Sequence, residues 1–123
     1  MRPTQDRRSM LTLAIASLLA QGPAPEPTWS NGMGGLVYDN CTECHRPGQA
    51  GPFPLLTYAD ARRRAPMLAE VVEDELMPPW HPVEGHGNFK ANRRMSAADK
   101  ALFIAWADAG APEGDPKAAP TAP

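Results

Sequence analysis

The sequence predicts an all-α fold, and three observations carry that prediction. No stretch alternates apolar and polar residues, or is β-branched enough, to build a sheet. Apolar residues recur instead at three- and four-residue steps, as at Leu68, Val72 and Leu76. Thr57–Asp60 and Ser96–Asp99 have the form of helix-opening capping boxes, with aspartate in place of glutamate. A chain of 123 residues holds one small domain, and its 15 prolines and 10 glycines predict short helices joined by stiff loops.

The first 20 residues read as an export signal. Arg2, Arg7 and Arg8 form a positive start, and Met10 to Ala20 is an apolar run of 11 residues. Such a run spans only about 16 Å as helix, too short to cross a membrane. Asp6 to Leu11 also resembles a twin-arginine signal, and an uncleaved anchor is the other alternative. Each reading sends the domain out of the cytoplasm, to the periplasm in a bacterium. Without residues 1–20 the chain has 9 basic and 13 acidic residues, so its charge falls from −2 to −4. That balance argues against a nucleic-acid partner, which calls for a clustered basic face.

Residues 21–29 form a proline-rich leader expected not to pack. Ser30 or Asn31 is placed to cap a first helix, regular from Gly35 to Cys44, with Leu36, Val37 and Tyr38 turned inward. This helix delivers Cys41-Thr42-Glu43-Cys44-His45. Two cysteines three apart, followed at once by histidine, form the attachment signature of a c-type haem. Each thiol adds across one vinyl group, and the histidine faces the iron. These are the chain's only two cysteines, which excludes a four-thiolate zinc site.

The next segment, Arg46 to Leu56, holds three prolines and cannot be helical. A ligating histidine gives its other ring N–H to an acceptor that fixes its orientation, and the carbonyls of Pro47 and Pro52 are the candidates. Phe53, Leu55 and Leu56 are expected beside the cofactor or in the core. Thr57 opens a short helical turn over 58–64, and Pro66 starts a helix to Leu76 whose inner face is Ala65, Leu68, Val72 and Leu76. Arg62, Arg63 and Arg64 form a basic run, most simply a solvated face, with docking on a partner or pairing with haem propionates as the alternatives.

Met77-Pro78-Pro79-Trp80-His81 follows. Two prolines end the helix and stiffen the backbone after a methionine, which suits Met77 as second iron ligand. Met/His ligation raises the reduction potential. His81, four residues on, is the main alternative, and His86, Met67, Met95 or an open position are the others. Residues 78–95 show no helical or strand period and are expected to cover the second haem face, anchored by Trp80 and Phe89. Arg93 and Arg94 are within reach of a haem propionate or a partner. Ser96 opens the last helix, with a stripe of Ala98, Ala101, Leu102, Ala105, Trp106 and Ala109 and Gly110 just past its end. Residues 113–123 are expected to be disordered.

With these parts assembled, residues 30–112 resemble a small monohaem cytochrome c, a helical domain wrapped around one covalently bound haem. The resemblance is to bacterial cytochrome c-like domains, through Cys41 to Gly48, Gly51 to Tyr58, Met77 to His81 and Ala105 to Pro112. It implies one haem c, attached at Cys41 and Cys44 and ligated by His45. It also implies redox protein partners, a copper-dependent oxidoreductase or a membrane electron-transport complex among them. Two departures stand out. Val37 occupies the place of the usual aromatic four residues before the motif, and His45 and Met77 are close together in sequence for this family.

Three functions follow from the residues. The first is single-electron transfer through a His/Met-ligated haem, with no substrate turnover, since no paired acid and base or activated nucleophile is visible. The second is a haem sensor or peroxidase-like protein with an open distal site. The third is a thiol-disulfide oxidoreductase using Cys41 and Cys44, which normally needs a strand before its motif.

Overall fold

A computed structural model describes residues 25–123. The expected export signal lies outside them, as does the start of the leader. Among the described residues four α-helices follow in order: α1 (Met33–Cys41), α2 (Tyr58–Arg62), α3 (Ala65–Glu73) and α4 (Ala97–Asp108). A 3-10 turn, Pro116–Ala118, comes after them. No strand occurs among these residues, only an isolated bridge between Thr28 and Gly32. The all-α expectation holds. No helix among them is long and apolar enough to cross a membrane.

α1 begins at Met33, earlier than its glycines suggest, and neither Ser30 nor Asn31 caps it. Its first N–H groups donate to backbone carbonyls instead, Met33 to Thr28 (3.2 Å) and Gly34 to Trp29 (2.9 Å). Gly34 is required by close approach. A Cβ there would lie 2.7 Å from Pro120 Cγ and 3.0 Å from Trp29 Cε2. The helix also stops at Cys41 rather than Cys44, leaving the rest of the motif in a turn.

Trp29 overturns the expected leader boundary. It is 2 % exposed and meets Tyr38 edge-on, with ring centroids 5.6 Å apart. The rings of Tyr58 and Trp106 lie 6.1 and 6.3 Å away. Its N–H donates to Pro112 O at 3.0 Å. Ser30 donates to Glu113 O from its N–H (2.9 Å) and its hydroxyl (2.8 Å). The two ends of the domain are therefore stitched together.

The expected disordered tail is also corrected. Asp115 accepts from Lys117 N–H at 3.0 Å and caps the 3-10 turn. Ala119 packs on the core, and Pro120 fills the notch above Gly34. Proline has little backbone freedom to lose, so a small contact suffices to order this segment.

α2 opens with the predicted capping box. Asp60 N–H donates to Thr57 Oγ1 (3.1 Å), and Thr57 N–H donates to Asp60 Oδ2 (3.2 Å). α3 turns Ala65, Leu68 and Val72 inward against α4. It stops before Leu76, however. Leu76 N–H donates to Val71 O (2.9 Å) and Glu75 N–H to Val72 O (3.2 Å), with Glu75 in the left-handed region at φ 58°. This is a Schellman ending, with glutamate where glycine is usual, and it turns Leu76 out to 61 % exposure.

α4 ends the same way, with Gly110 at φ 82°, as predicted. Of the predicted stripe only Trp106 is on its buried face. Phe103 and Trp106 point inward, while Leu102 and the alanines at 98, 101, 105 and 109 are exposed. Alanine changes little in burial energy whichever way it faces, so the two large rings set the helix rotation.

Candidate functional site

The end of α1, the proline loop, α3 and the segment after it enclose a cavity of about 420 Å³. That size lies within the range of small-molecule and cofactor sites. Cys41, Cys44 and His45 line it, as do Met67 and Met77. Leu55, Leu68, Val72 and Phe103 make an apolar floor beneath them. The fold therefore brings the motif and its predicted distal methionine to one hollow.

His45 is held from behind. Its Nδ1 lies 3.0 Å from Phe53 O. A carbonyl only accepts, so Nδ1 carries the proton and Nε2 keeps the lone pair a metal needs. The acceptor belongs to neither Pro47 nor Pro52, but to the residue after Pro52. The loop folds back there because Gly51 N–H donates to Cys44 O (2.8 Å) and Leu55 N–H to His45 O (2.9 Å). Gly51 admits no side chain: a Cβ would sit 2.7 Å from Cys44 O and 2.8 Å from His45 Nδ1. The Phe53 ring also packs on the imidazole, centroids 4.8 Å apart.

Both cysteines are free thiols. Burial pushes the Cys41 thiol up to about 12, so at neutral pH it is not a thiolate. Glu43, between them, pairs with Arg93 at 2.7 Å. Hydrogen bonding to Glu43 and its charge raise the Arg93 pKa further. Arg93 is the one side chain of fixed charge on the cavity wall among the described residues.

The distal candidates separate clearly. Met77 lines the cavity and is 40 % exposed, as is Met67. His81 does not line it. Both of its ring nitrogens are engaged elsewhere, Nδ1 with Arg94 Nη2 (3.0 Å) and Nε2 with Glu75 O (3.1 Å). Arg94 is itself fixed by Pro82 O (2.9 Å) and Glu75 (2.9 Å), and Lys100 also pairs with Glu75. Met95 is buried at 6 % exposure, and His86 lies in the exposed loop, both off the cavity. The expected anchors of that loop behave differently. Trp80 is 81 % exposed but lines the cavity, whereas Phe89 is exposed and away from it.

Among the described residues, no three His, Cys, Asp or Glu side chains converge as a metal site. A porphyrin iron asks for less, since it brings four nitrogens of its own. An apolar hollow carrying two free thiols, an imidazole with its second nitrogen bonded, and a thioether fits that group. Sequence reasoning missed Gly51 and the Phe53 carbonyl, whose roles depend on the path of the loop. It also missed the engagement of His81 by Arg94, a contact between residues 13 apart. Comparison with protein-family models, with curated proteins and with solved structures finds no match for this chain.

Proposed function

We propose that the protein is an exported monohaem c-type cytochrome that passes single electrons between redox partners. The observation that carries the proposal is the convergence of Cys41, Cys44, His45 and Met77 on one apolar cavity, with His45 Nδ1 bonded to Phe53 O. Haem bound there supplies the one-electron iron couple. Cys41 and Cys44 would hold it covalently as thioethers. His45 would hold the iron through Nε2, oriented by the Phe53 carbonyl, and Met77 would supply a thioether ligand. Leu55, Leu68, Val72 and Phe103 exclude water, and burial of this kind favours a higher potential.

Met77 is favoured over His81 because both His81 nitrogens are taken by Arg94 and Glu75. Thiol-disulfide exchange is poorly served by a Cys41 thiol whose pKa burial pushes up to about 12. The partners would be redox proteins, of the copper-dependent oxidoreductase or membrane electron-transport classes that the resemblance implies.

The test is production in an exporting, haem-maturing host, followed by denaturing extraction and absorption spectra of both oxidation states. Haem that survives extraction, with a sulfur–iron charge-transfer band in the oxidised protein, is the expected result. Haem that washes out, or no haem at all, overturns the proposal.

A further inference from the structure

We infer that Arg64 is a positioning residue for His45, acting through the ring of Phe53; the inference rests on the haem reading above. The Arg64 guanidinium carbon lies 4.2 Å over the centroid of the Phe53 ring. The same ring packs against the His45 imidazole at 4.8 Å. Phe53 O takes the His45 Nδ1 proton at 3.0 Å. One residue thus makes two contacts with the proximal imidazole, through its ring and its carbonyl, and Arg64 holds that residue in place. The three groups form a stack: guanidinium, phenyl, imidazole.

Arg64 is built to stay where it is. It stands at the N-terminal cap of α3, where its carbonyl accepts from Leu68 N–H at 2.9 Å. Its Nη1 donates to Asp60 O at 3.2 Å, which ties the guanidinium to α2. Its neighbour Arg63 pairs with the Asp60 carboxylate. Among the described residues no carboxylate pairs with Arg64, so its charge faces the aromatic ring uncompensated. A cation over a ring face is attracted by the ring quadrupole, and a planar guanidinium also stacks there. Phe53 lies in a proline-flanked loop without helix or strand around it, between Pro52 and Pro54. Such a segment has few backbone bonds of its own, so a side-chain clamp decides how firmly its carbonyl stays opposite Nδ1. Of the three arginines at 62–64, only Arg64 therefore has a defined task at the site.

The test measures hydrogen exchange of the His45 Nδ1–H by NMR in the reduced, haem-loaded full chain. Exchange of the Trp106 indole N–H, which is bonded to Pro112 O at 3.0 Å, is the reference for global opening. Arg64→Met keeps the length of the side chain and removes the cation. It is expected to load haem as the parent does and to exchange Nδ1–H severalfold faster, with the indole unchanged. Arg64→Lys restores a cation over the ring and should bring the rate back toward the parent's. Phe53→Leu keeps the carbonyl and deletes the ring, and should exchange as fast as Arg64→Met. That variant decides the matter if Arg64→Met fails to fold. Parent-like Nδ1–H exchange in both Arg64→Met and Phe53→Leu overturns the inference, as does equal acceleration of the indole. A parent chain that takes up no covalent haem would instead sink the functional reading itself.

Discussion

Arg94 donates from Nη2 to His81 Nδ1 at 3.0 Å, which leaves Nε2 as the protonated nitrogen, donating to Glu75 O at 3.1 Å. A histidine in that state has no free lone pair for a metal. The guanidinium is anchored in turn by Pro82 O and Glu75. In haem-loaded protein, Met77→Ala is therefore expected to abolish the sulfur–iron charge-transfer band, and His81→Ala to leave it intact. Arg94→Leu frees His81 Nδ1 and should give a mixture, with part of the band replaced by a bis-histidine spectrum. A band that survives Met77→Ala and disappears in Met67→Ala would move the ligand to Met67, the other methionine on the cavity.

Gly51 tests the proximal side independently. Its missing side chain leaves room for Cys44 O and for the His45 ring, whose Cγ would be 2.9 Å from an added Cβ. Backbone and a bonded imidazole cannot give way as the end of a flexible side chain can. Gly51→Ala should destabilise the fold by about 1–3 kcal/mol, the usual cost of overpacking, and reduce the yield of haem-loaded chain. Thermal unfolding and the haem-to-protein ratio read the two effects. Substitution at Gly35, which has open space around its Cβ direction and an ordinary φ, does not crowd His45 and serves as the comparison.

Local rules made part of this molecule legible. Thr57 and Ser96 both cap helices by accepting the expected N–H, although only Thr57 and Asp60 close a full capping box, and Gly110 is left-handed just past α4. Motif residues Cys41, Cys44 and His45 and the proline-flanked Met77 reach one cavity. What stayed hidden depends on contacts distant in sequence. Trp29 looked like leader because only its pairing with Pro112 and Trp106 makes it core. Leu76 looked buried by periodicity, but a left-handed Glu75 ends the helix before it, a conformation that sequence rarely assigns to glutamate. The α4 stripe was misread because alanine counts as apolar on every face, while Phe103 carries the real signal.

The ordered tail gives a third prediction. Pro120 covers Gly34, Ala119 packs on the core, and Ser30 holds Glu113. Removing residues 115–123 re-exposes apolar area equivalent to a few methylene groups, on the order of 1–2 kcal/mol. In a domain of this size each 1 kcal/mol lowers the thermal midpoint by roughly 4–8 °C. Circular dichroism melts of the full and shortened chains provide the measurement. Identical midpoints would return the tail to the disordered state that its composition suggests.

Asp60 supplies the pH dependence. Burial pushes its carboxyl up, but hydrogen bonds from Thr57 and Arg63, with the charge of Arg63, outweigh that and hold it below the ordinary aspartate value. Its folded pKa is thus lower than its unfolded one, and between the two the unfolded chain binds more protons. The stabilisation is fully present above the ordinary aspartate range, about 3.9, and is lost as pH falls through the folded value. Asp60→Asn should therefore be less stable than the parent at neutral pH, with the gap closing in strong acid. Thr57→Ala removes the N-cap acceptor at every pH and should cost about 1 kcal/mol. Urea unfolding of the three chains at neutral pH and in acid separates the effects. A gap between the parent and Asp60→Asn that does not narrow in acid would mean the carboxylate acts only through its geometry, as an uncharged cap.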